Sequence, residues 1–279
     1  MHNYYLHTEN ATQALDAIAK GLSNVRLSTD LHLSDHEYAL VDKELILDED
    51  NKLTITDLKK IVKKTGRIYR CYDGEREPLE DRSSGYYKLV PTAGAPLLEI
   101  SGVKMHISKG TDPFTSASEM SLQAVRAGDK VLDCCSGLGY AAIAAHRLGA
   151  SEVITIELSP EVMSLRALNP WSQALNASGI EQRQGSSFEL IQKMPAISFD
   201  SVVHDPPRFS LAGELYSEQF YCEIYRVLRK GGRLFHYTGN PHVIKSGSSF
   251  VDGVIRRLKA AGFKNVKKVE HLMGVSAQK

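Results

Sequence analysis

The chain has 279 residues, 42% of them hydrophobic and 24% charged, with a formal net charge of +1. That composition excludes a disordered chain, and at roughly 150 residues per domain it leaves room for one large domain or two modest ones. No stretch approaches the ~20 consecutive apolar residues of a membrane span, and the amino-terminal segment lacks the basic start and apolar run of a secretion signal; a cytoplasmic protein with no membrane partner is expected.

The first hundred residues read as short elements. Asn10 to Leu22 places Ala11, Ala14, Leu15, Ile18 and Leu22 near helical spacing, which predicts an amphipathic first helix. Strand-like runs follow at Tyr38 to Leu47, Gly66 to Tyr72, Tyr86 to Val90 and Leu97 to His106, around a helical segment from Thr56 to Lys64. The Gly-, Pro- and charge-rich stretches Asp73 to Gly85 and Pro91 to Pro96 read as loops. These features predict a small α+β domain over residues 1–105.

From residue 106 the pattern changes to apolar runs alternating with helices, the signature of a parallel sheet wrapped on both faces. Ser116 and Glu119 form a capping-box pattern that predicts a helix to Arg126. Strands are expected at Lys130 to Cys135, Val153 to Glu157, Ile180 to Gln184, Phe199 to His204 and Gly232 to Tyr237. Helices are expected at Tyr140 to Leu148, from Ser159-Pro160 to before Pro170, and at Glu218 to Leu228. Val251 to Ala261 and Val266 to His271, with a closing hairpin to Ala277, complete an α/β, Rossmann-like, doubly wound and mostly parallel sheet of seven strands.

The first of these strands runs into Asp133-Cys134-Cys135-Ser136-Gly137-Leu138-Gly139-Tyr140, an acid followed by a glycine turn through which a ligand approaches the backbone closely. Glu157 ends the next strand 20 residues after Gly137, where a carboxylate accepts hydrogen bonds from ribose hydroxyls. Gly137-x-Gly139-x-x-Ala142 also satisfies a dinucleotide fingerprint, so an NAD-dependent oxidoreductase is a competing reading. Asp133 separates the two: beside the bend it attracts an ammonium and repels a pyrophosphate, which favours S-adenosylmethionine.

Further along, His204-Asp205-Pro206-Pro207-Arg208-Phe209 closes an apolar strand. Two prolines fix φ and remove two donors. The loop therefore offers acceptors, above all the Asp205 carboxylate, that hold an NH₂ group and aim its lone pair at a methyl. Arg208 is a fork-shaped donor for a substrate phosphate or carboxylate, or for a neighbouring acid. His204 and His236 lie near strand ends, where a base would sit, and read first as packed, hydrogen-bonded residues.

These motifs resemble those of the class I, Rossmann-like S-adenosylmethionine-dependent methyltransferases over residues 106–279. The resemblance implies that Asp133, Ser136, Gly137 and Gly139 cradle the methionine part, that Glu157 binds the ribose and that Leu158 flanks the adenine. Where the family often has an Asp for the adenine amino group, Gly185-Ser186-Ser187 stands here, with Ser186 as the substitute. Asp205, Pro206 and Pro207 resemble the Asp-Pro-Pro-aromatic motif of amino-group methyltransferases. Arg208 departs from it, and Phe209 supplies a ring one residue later.

Asp-Pro-Pro-x-Phe also occurs in some RNA cytosine-C5 methyltransferases, but the place of their nucleophilic cysteine reads Phe235-His236-Tyr237-Thr238-Gly239-Asn240, which disfavours that chemistry. The run from Val131 to Pro241 is similar to a group of predicted archaeal methyltransferases. Methyl transfer to nitrogen of a macromolecule, RNA ahead of protein or a small molecule, is therefore expected, with residues 1–105 helping to select it. A nucleoside-binding module without turnover is the non-enzymatic alternative. The four cysteines, at 71, 134, 135 and 222, show no CxxC spacing, so no metal is expected. The basic residues Arg226, Arg229, Lys230 and Arg233 read as solvated helix faces and mark no RNA track.

Overall fold

The computed structural model describes residues 3–239 and 247–279; Asn240 and Pro241 of the expected motif run lie outside the described residues. The chain divides into two compact units, one reaching Pro113 and including Ala167–Trp171, the other formed by Phe114–Arg166 and Ser172–Lys279. The division falls past the residue-105 boundary read from the sequence. One reason is that His106 Nδ1 accepts from the Leu98 N–H at 3.2 Å, which ties the following segment to the first unit.

The first unit holds three small antiparallel sheets and the helices Thr8–Ala19 and Ile55–Val62. Leu6, Ala11, Ala14, Leu45, Leu58 and Ile61 meet in its core. The expected strand over Tyr38 to Leu47 is a hairpin, His36–Val41 with Glu44–Ile46. Asp42 and Lys43, at φ 50° and 63°, make the two-residue turn whose twist matches the flanking strands. Leu97 to His106 likewise folds back at Ser101-Gly102. The stretch expected to be a loop, Asp73 to Gly85, contains strands Glu75–Pro78 and Glu80–Asp81; each pairs with a neighbour along its backbone, which needs no apolar side chains.

The second unit takes up the chain just inside α1 (Pro113–Ala124), which β1 (Lys130–Asp133) follows. Then come α2 (Tyr140–Arg147), β2 (Glu152–Glu157), α3 (Pro160–Leu168), β3 (Ile180–Gln184), α4 (Ser187–Leu190) and β4 (Phe199–His204). The unit ends with α5 (Glu218–Val227), β5 (Leu228–Tyr237), α6 (Gly247–Ala260), β6 (Lys264–Val269) and β7 (Gly274–Gln278). The sheet order is β3-β2-β1-β4-β5-β7-β6. The first five strands run parallel and β7 is antiparallel to both neighbours, the Rossmann-like arrangement expected. One expectation fails: Ser116 caps nothing, because α1 already starts at Pro113, whose ring is preset for a first helical position.

Alternation along the central strands explains the two layers of core. Val131, Val153 and Val203 face Ile143 and Ala142, while Leu132, Ile154 and Val202 face Phe220 and Ile224. Parallel strands covered on both faces need such continuous apolar runs. The strand order reverses between β1 and β4, and ligands bind at the carboxyl ends beside such a reversal. Asp133 and Asp205 lie there.

The turn from β1 into α2 is closed by the Gly139 N–H donating to the Ser136 carbonyl at 2.7 Å. Gly139 has φ 83° and a Cβ there would stand 2.3 Å from Leu175 Cδ1. Backbone strain and overpacking therefore add. Gly139→Ala is expected to cost about 2–4 kcal/mol in denaturant unfolding; a loss below about 0.5 kcal/mol would show that Leu175 and the turn adjust freely.

Candidate cofactor and acceptor site

Asp133 is fully buried at the end of β1, in register with Thr155 of β2. Paired residues on parallel strands project to the same face, and Thr155 Oγ1 donates to Asp133 Oδ2 at 2.7 Å. Oδ1 of the same carboxylate is buried with no hydrogen bond. An unsatisfied carboxylate oxygen in such a place costs free energy unless a ligand supplies a donor. An ammonium fits that requirement.

Glu157, two residues beyond Thr155, accepts from the Gly137 N–H at 2.7 Å and from the Ser159 N–H at 2.9 Å. It thereby holds both the glycine turn and the start of α3. Burial raises its carboxyl above the ordinary range against those two bonds. Leu158 beside it is 67% exposed, an apolar surface open to a planar ring. The Gly185 N–H donates to the Glu157 carbonyl at 2.9 Å, which brings Ser186 to the same strand end. Ser186 makes no capping bond at α4; the neighbouring Ser187 hydroxyl is engaged, donating to the Cys134 carbonyl.

The fourth strand delivers the second acid. Asp205 follows the buried His204, and the Asp205 carboxyl is pushed up to about 7 by loss of water and by the nearby Asp133 charge. Asp133 itself is raised to about 6 by burial, against the Thr155 bond and the Arg166 charge. Asp133 is paired with Val203, two residues before Asp205, so the two carboxyl groups sit at adjoining strand ends, one fully and one partly withdrawn from water. A cation relieves both.

Pro206 is buried and Pro207 exposed, and the Pro207 carbonyl accepts from the Tyr216 hydroxyl at 2.9 Å. Arg208 is exposed, and its carbonyl accepts from the Leu211 and Ala212 N–H groups to close a turn. Phe209 packs edge-on against Tyr216 with ring centroids 5.6 Å apart, yet stays 53% exposed. An exposed guanidinium and an exposed aromatic therefore stand one and two positions past the prolines.

Four contributors to this region escaped the sequence reading. Tyr216 and Tyr237 both feel the Asp205 charge, and Tyr237 feels Arg208 as well. Thr155 looked like an ordinary strand residue. Arg166 of α3 is 3% exposed and donates to the Ser136 hydroxyl at 2.8 Å. The pairing of Arg166 with the glycine turn joins residues 30 apart, which helical periodicity does not reveal.

His204 and His236 are both fully buried, with rings 4.5 Å apart. His204 Nε2 lies 3.0 Å from the Leu215 carbonyl and His236 Nε2 lies 3.0 Å from the Tyr221 hydroxyl. Burial pushes His204 down to about 4 and His236 well below its ordinary value, so both are neutral packing residues at pH 7. The basic residues on the far side are paired too: Arg226 with Glu223, Arg229 with Asp200 and Arg233 with Asp129. No group of three or more metal-ligating side chains occurs among the described residues, and no helix there is long and apolar enough to cross a membrane.

Residues 132–236 match a family model described as a methyltransferase domain. The chain is 45% identical over 271 residues to the Uncharacterized protein MJ1233 of Methanocaldococcus jannaschii, covering 94% of this chain and 93% of that one. It is 32% identical over 180 residues to the ribosomal protein L11 methyltransferase of Shouchella clausii, over 63% of this chain and 51% of that one. Among solved structures, spermidine synthase in complex with the transition-state analogue AdoDATO aligns at a TM-score of 0.60 and 17% identity, covering 72% of each chain; that likeness is one of fold.

Because a carboxyl raised in the folded state binds its proton more tightly there, its ionisation destabilises the fold as pH rises through the folded value. Asp205→Asn is therefore expected to raise the unfolding free energy at pH 8 by about 2 kcal/mol or more. The gain should shrink as pH falls from about 7 towards 4. Denaturant melts across that range check it; a destabilised variant at pH 8 would mean that Asp205 is held by bonds stronger than the repulsion.

Proposed function

Since the chain belongs to the family of the Methanocaldococcus jannaschii protein and carries a methyltransferase domain, we propose that it moves a methyl group from S-adenosylmethionine to an amino nitrogen of a macromolecule, RNA ahead of protein. S-adenosylmethionine is the cofactor of this domain. When bound, it supplies a methyl group on a sulfonium, already activated for in-line displacement. Everything else falls to positioning and charge.

Asp133 takes the ammonium of the cofactor on its unbonded Oδ1, and Glu157 takes the ribose hydroxyls. Gly137 and Gly139 leave the turn open beneath the methionine part, Leu158 covers the adenine and Ser186 stands at its amino edge. Ser136 contributes through the shape of the turn, since its hydroxyl is occupied inside the protein. Asp205 accepts an N–H from the acceptor nitrogen, keeps the lone pair directed at the methyl and receives the proton after transfer. Pro206 and Pro207 hold the loop rigid.

The exposed pair Arg208 and Phe209 supports a nucleotide as acceptor. A guanidinium engages a phosphate and an exposed ring stacks on a base. The similarity to a ribosomal protein methyltransferase supports protein as the second reading. In the RNA reading the first unit selects the target, an expectation from architecture. The NAD alternative lacks support, because the acid pair repels a pyrophosphate.

The single observation that carries the proposal is the pair of acids at adjoining strand ends, Asp133 buried with Oδ1 unbonded and Asp205 two residues past Val203, the β4 partner of Asp133. Incubation with methyl-labelled S-adenosylmethionine and either total RNA or protein extract tests it. Label is expected in RNA, lost by at least about 100-fold in Asp205→Ala. The kcat/KM for S-adenosylmethionine, which reports the free enzyme, should fall as pH drops below about 7, since the ionised acid both attracts the cofactor and accepts the proton. Label in protein alone would overturn the RNA reading. Partner binding without turnover, unaffected by Asp205→Ala, would favour the silent module.

A further inference from the structure

Arg166, Ser136, Thr155 and Asp133 form one buried chain of hydrogen bonds. Arg166 Nη1 lies 2.8 Å from Ser136 Oγ, Ser136 Oγ lies 2.6 Å from Thr155 Oγ1, and Thr155 Oγ1 lies 2.7 Å from Asp133 Oδ2. None of the four is more than 6% exposed. A guanidinium only donates and an ionised carboxylate only accepts. Thr155 Oγ1 stands as donor towards both Asp133 Oδ2 and Ser136 Oγ but carries one proton; while Asp133 is ionised that proton goes to Asp133, and the Ser136 hydroxyl, itself accepting from Arg166, turns its own proton to Thr155.

The direction has an energetic consequence. If Asp133 took up a proton on its unbonded Oδ1, Oδ2 would still accept from Thr155 but as a neutral carbonyl oxygen, a weaker acceptor than a carboxylate, so the chain polarised by Arg166 favours the ionised form. The ends of the chain also attract: Arg166 favours the ionised form of Asp133 through space. Against it stand burial and the like charge of Glu157, with Asp205 facing Asp133 across the strand ends and the thiols of Cys134 and Cys135 beside it. A buried acid among acids needs such a counterweight to stay charged.

We propose that Arg166, acting through Ser136 and Thr155, is a positioning residue that keeps Asp133 ionised and oriented, so that Oδ1 meets the ammonium of the cofactor tail. The inference rests on S-adenosylmethionine being the ligand of this site. It also explains why Ser136 is a serine. Its hydroxyl is the first link from Arg166 and is turned away from solvent.

Calorimetry with two ligands separates this role from simple support of the fold. S-adenosylmethionine has the ammonium, and 5′-methylthioadenosine shares the nucleoside but lacks the tail. Thr155→Val removes the last donor while keeping the side-chain shape. It is expected to weaken S-adenosylmethionine about tenfold at pH 5.5, the effect of raising the Asp133 carboxyl by about one pH unit. The loss should fade by pH 8, and the affinity for 5′-methylthioadenosine should stay within about twofold throughout. Arg166→Met is expected to behave likewise and Arg166→Lys to recover part of the loss. Ser136→Ala cuts the chain one link earlier and replaces Thr155→Val should that variant not fold.

Equal weakening of both ligands, or a loss that does not change with pH, would overturn the relay while leaving the cofactor assignment intact. Failure of the wild-type protein to bind S-adenosylmethionine would overturn both.

Discussion

Two acids set side by side where β1 and β4 end, Asp133 fully buried and Asp205 partly so, are the feature on which the proposed chemistry rests. Neither Asp133 nor Asp205 has a cation of its own within hydrogen-bonding reach among the described residues; the nearest buried guanidinium, Arg166, acts on Asp133 through two hydroxyls. Their proximity is imposed by topology. In a sheet whose order reverses between β1 and β4, the carboxyl ends of those two strands are neighbours whatever else the chain does. In the proposed reading a positively charged ligand relieves the repulsion between the two acids, which would tie fold stability, cofactor choice and acceptor chemistry to one pair of side chains.

Around that pair the residues divide into those that hold the glycine turn and those that hold the loop after β4, the proposed acceptor side. Glu157 tethers the Gly137 N–H, and Leu175 fills the space that the missing side chain of Gly139 leaves. Tyr216 fixes the Pro207 carbonyl, and with it the direction in which Arg208 and Phe209 emerge. The neutral pair His204 and His236 packs behind this loop, bonded to the Leu215 carbonyl and the Tyr221 hydroxyl. It stiffens the strand end from which Asp205 projects. Catalysis by methyl transfer asks for this kind of support, because an activated methyl needs alignment more than acid or base strength.

The second unit was largely legible in the sequence, and the reason is physical. Its central strands are buried on both sides and so appear as nearly unbroken apolar runs, and β4 begins and ends where that pattern places it; the edge strand β3, Ile180–Gln184, is polar and half exposed and is placed by the alternation of strands with helices. The first unit was much less legible: its strands are short and half exposed, and a charged pair such as Asp42-Lys43 turns a hairpin without glycine. Ser116 illustrates a local rule overridden, since Pro113 starts the helix earlier. Asp133, Glu157 and Asp205 could be read because acids at strand ends break an apolar pattern. Arg166, Thr155 and Tyr216 could not, because each looks like an ordinary surface or packing residue until the fold brings it to the site.

The account turns on a cation relieving two crowded carboxylates, and proton release on binding measures that most directly. Titration calorimetry of S-adenosylmethionine at pH 6.5, repeated in buffers of different ionisation heat, counts the protons exchanged. With Asp205 raised to about 7 and Asp133 to about 6, both are partly protonated there, and the entering positive charge drives protons off. Release of about one proton per site is predicted. Binding with no proton released, or with uptake, would contradict the central claim.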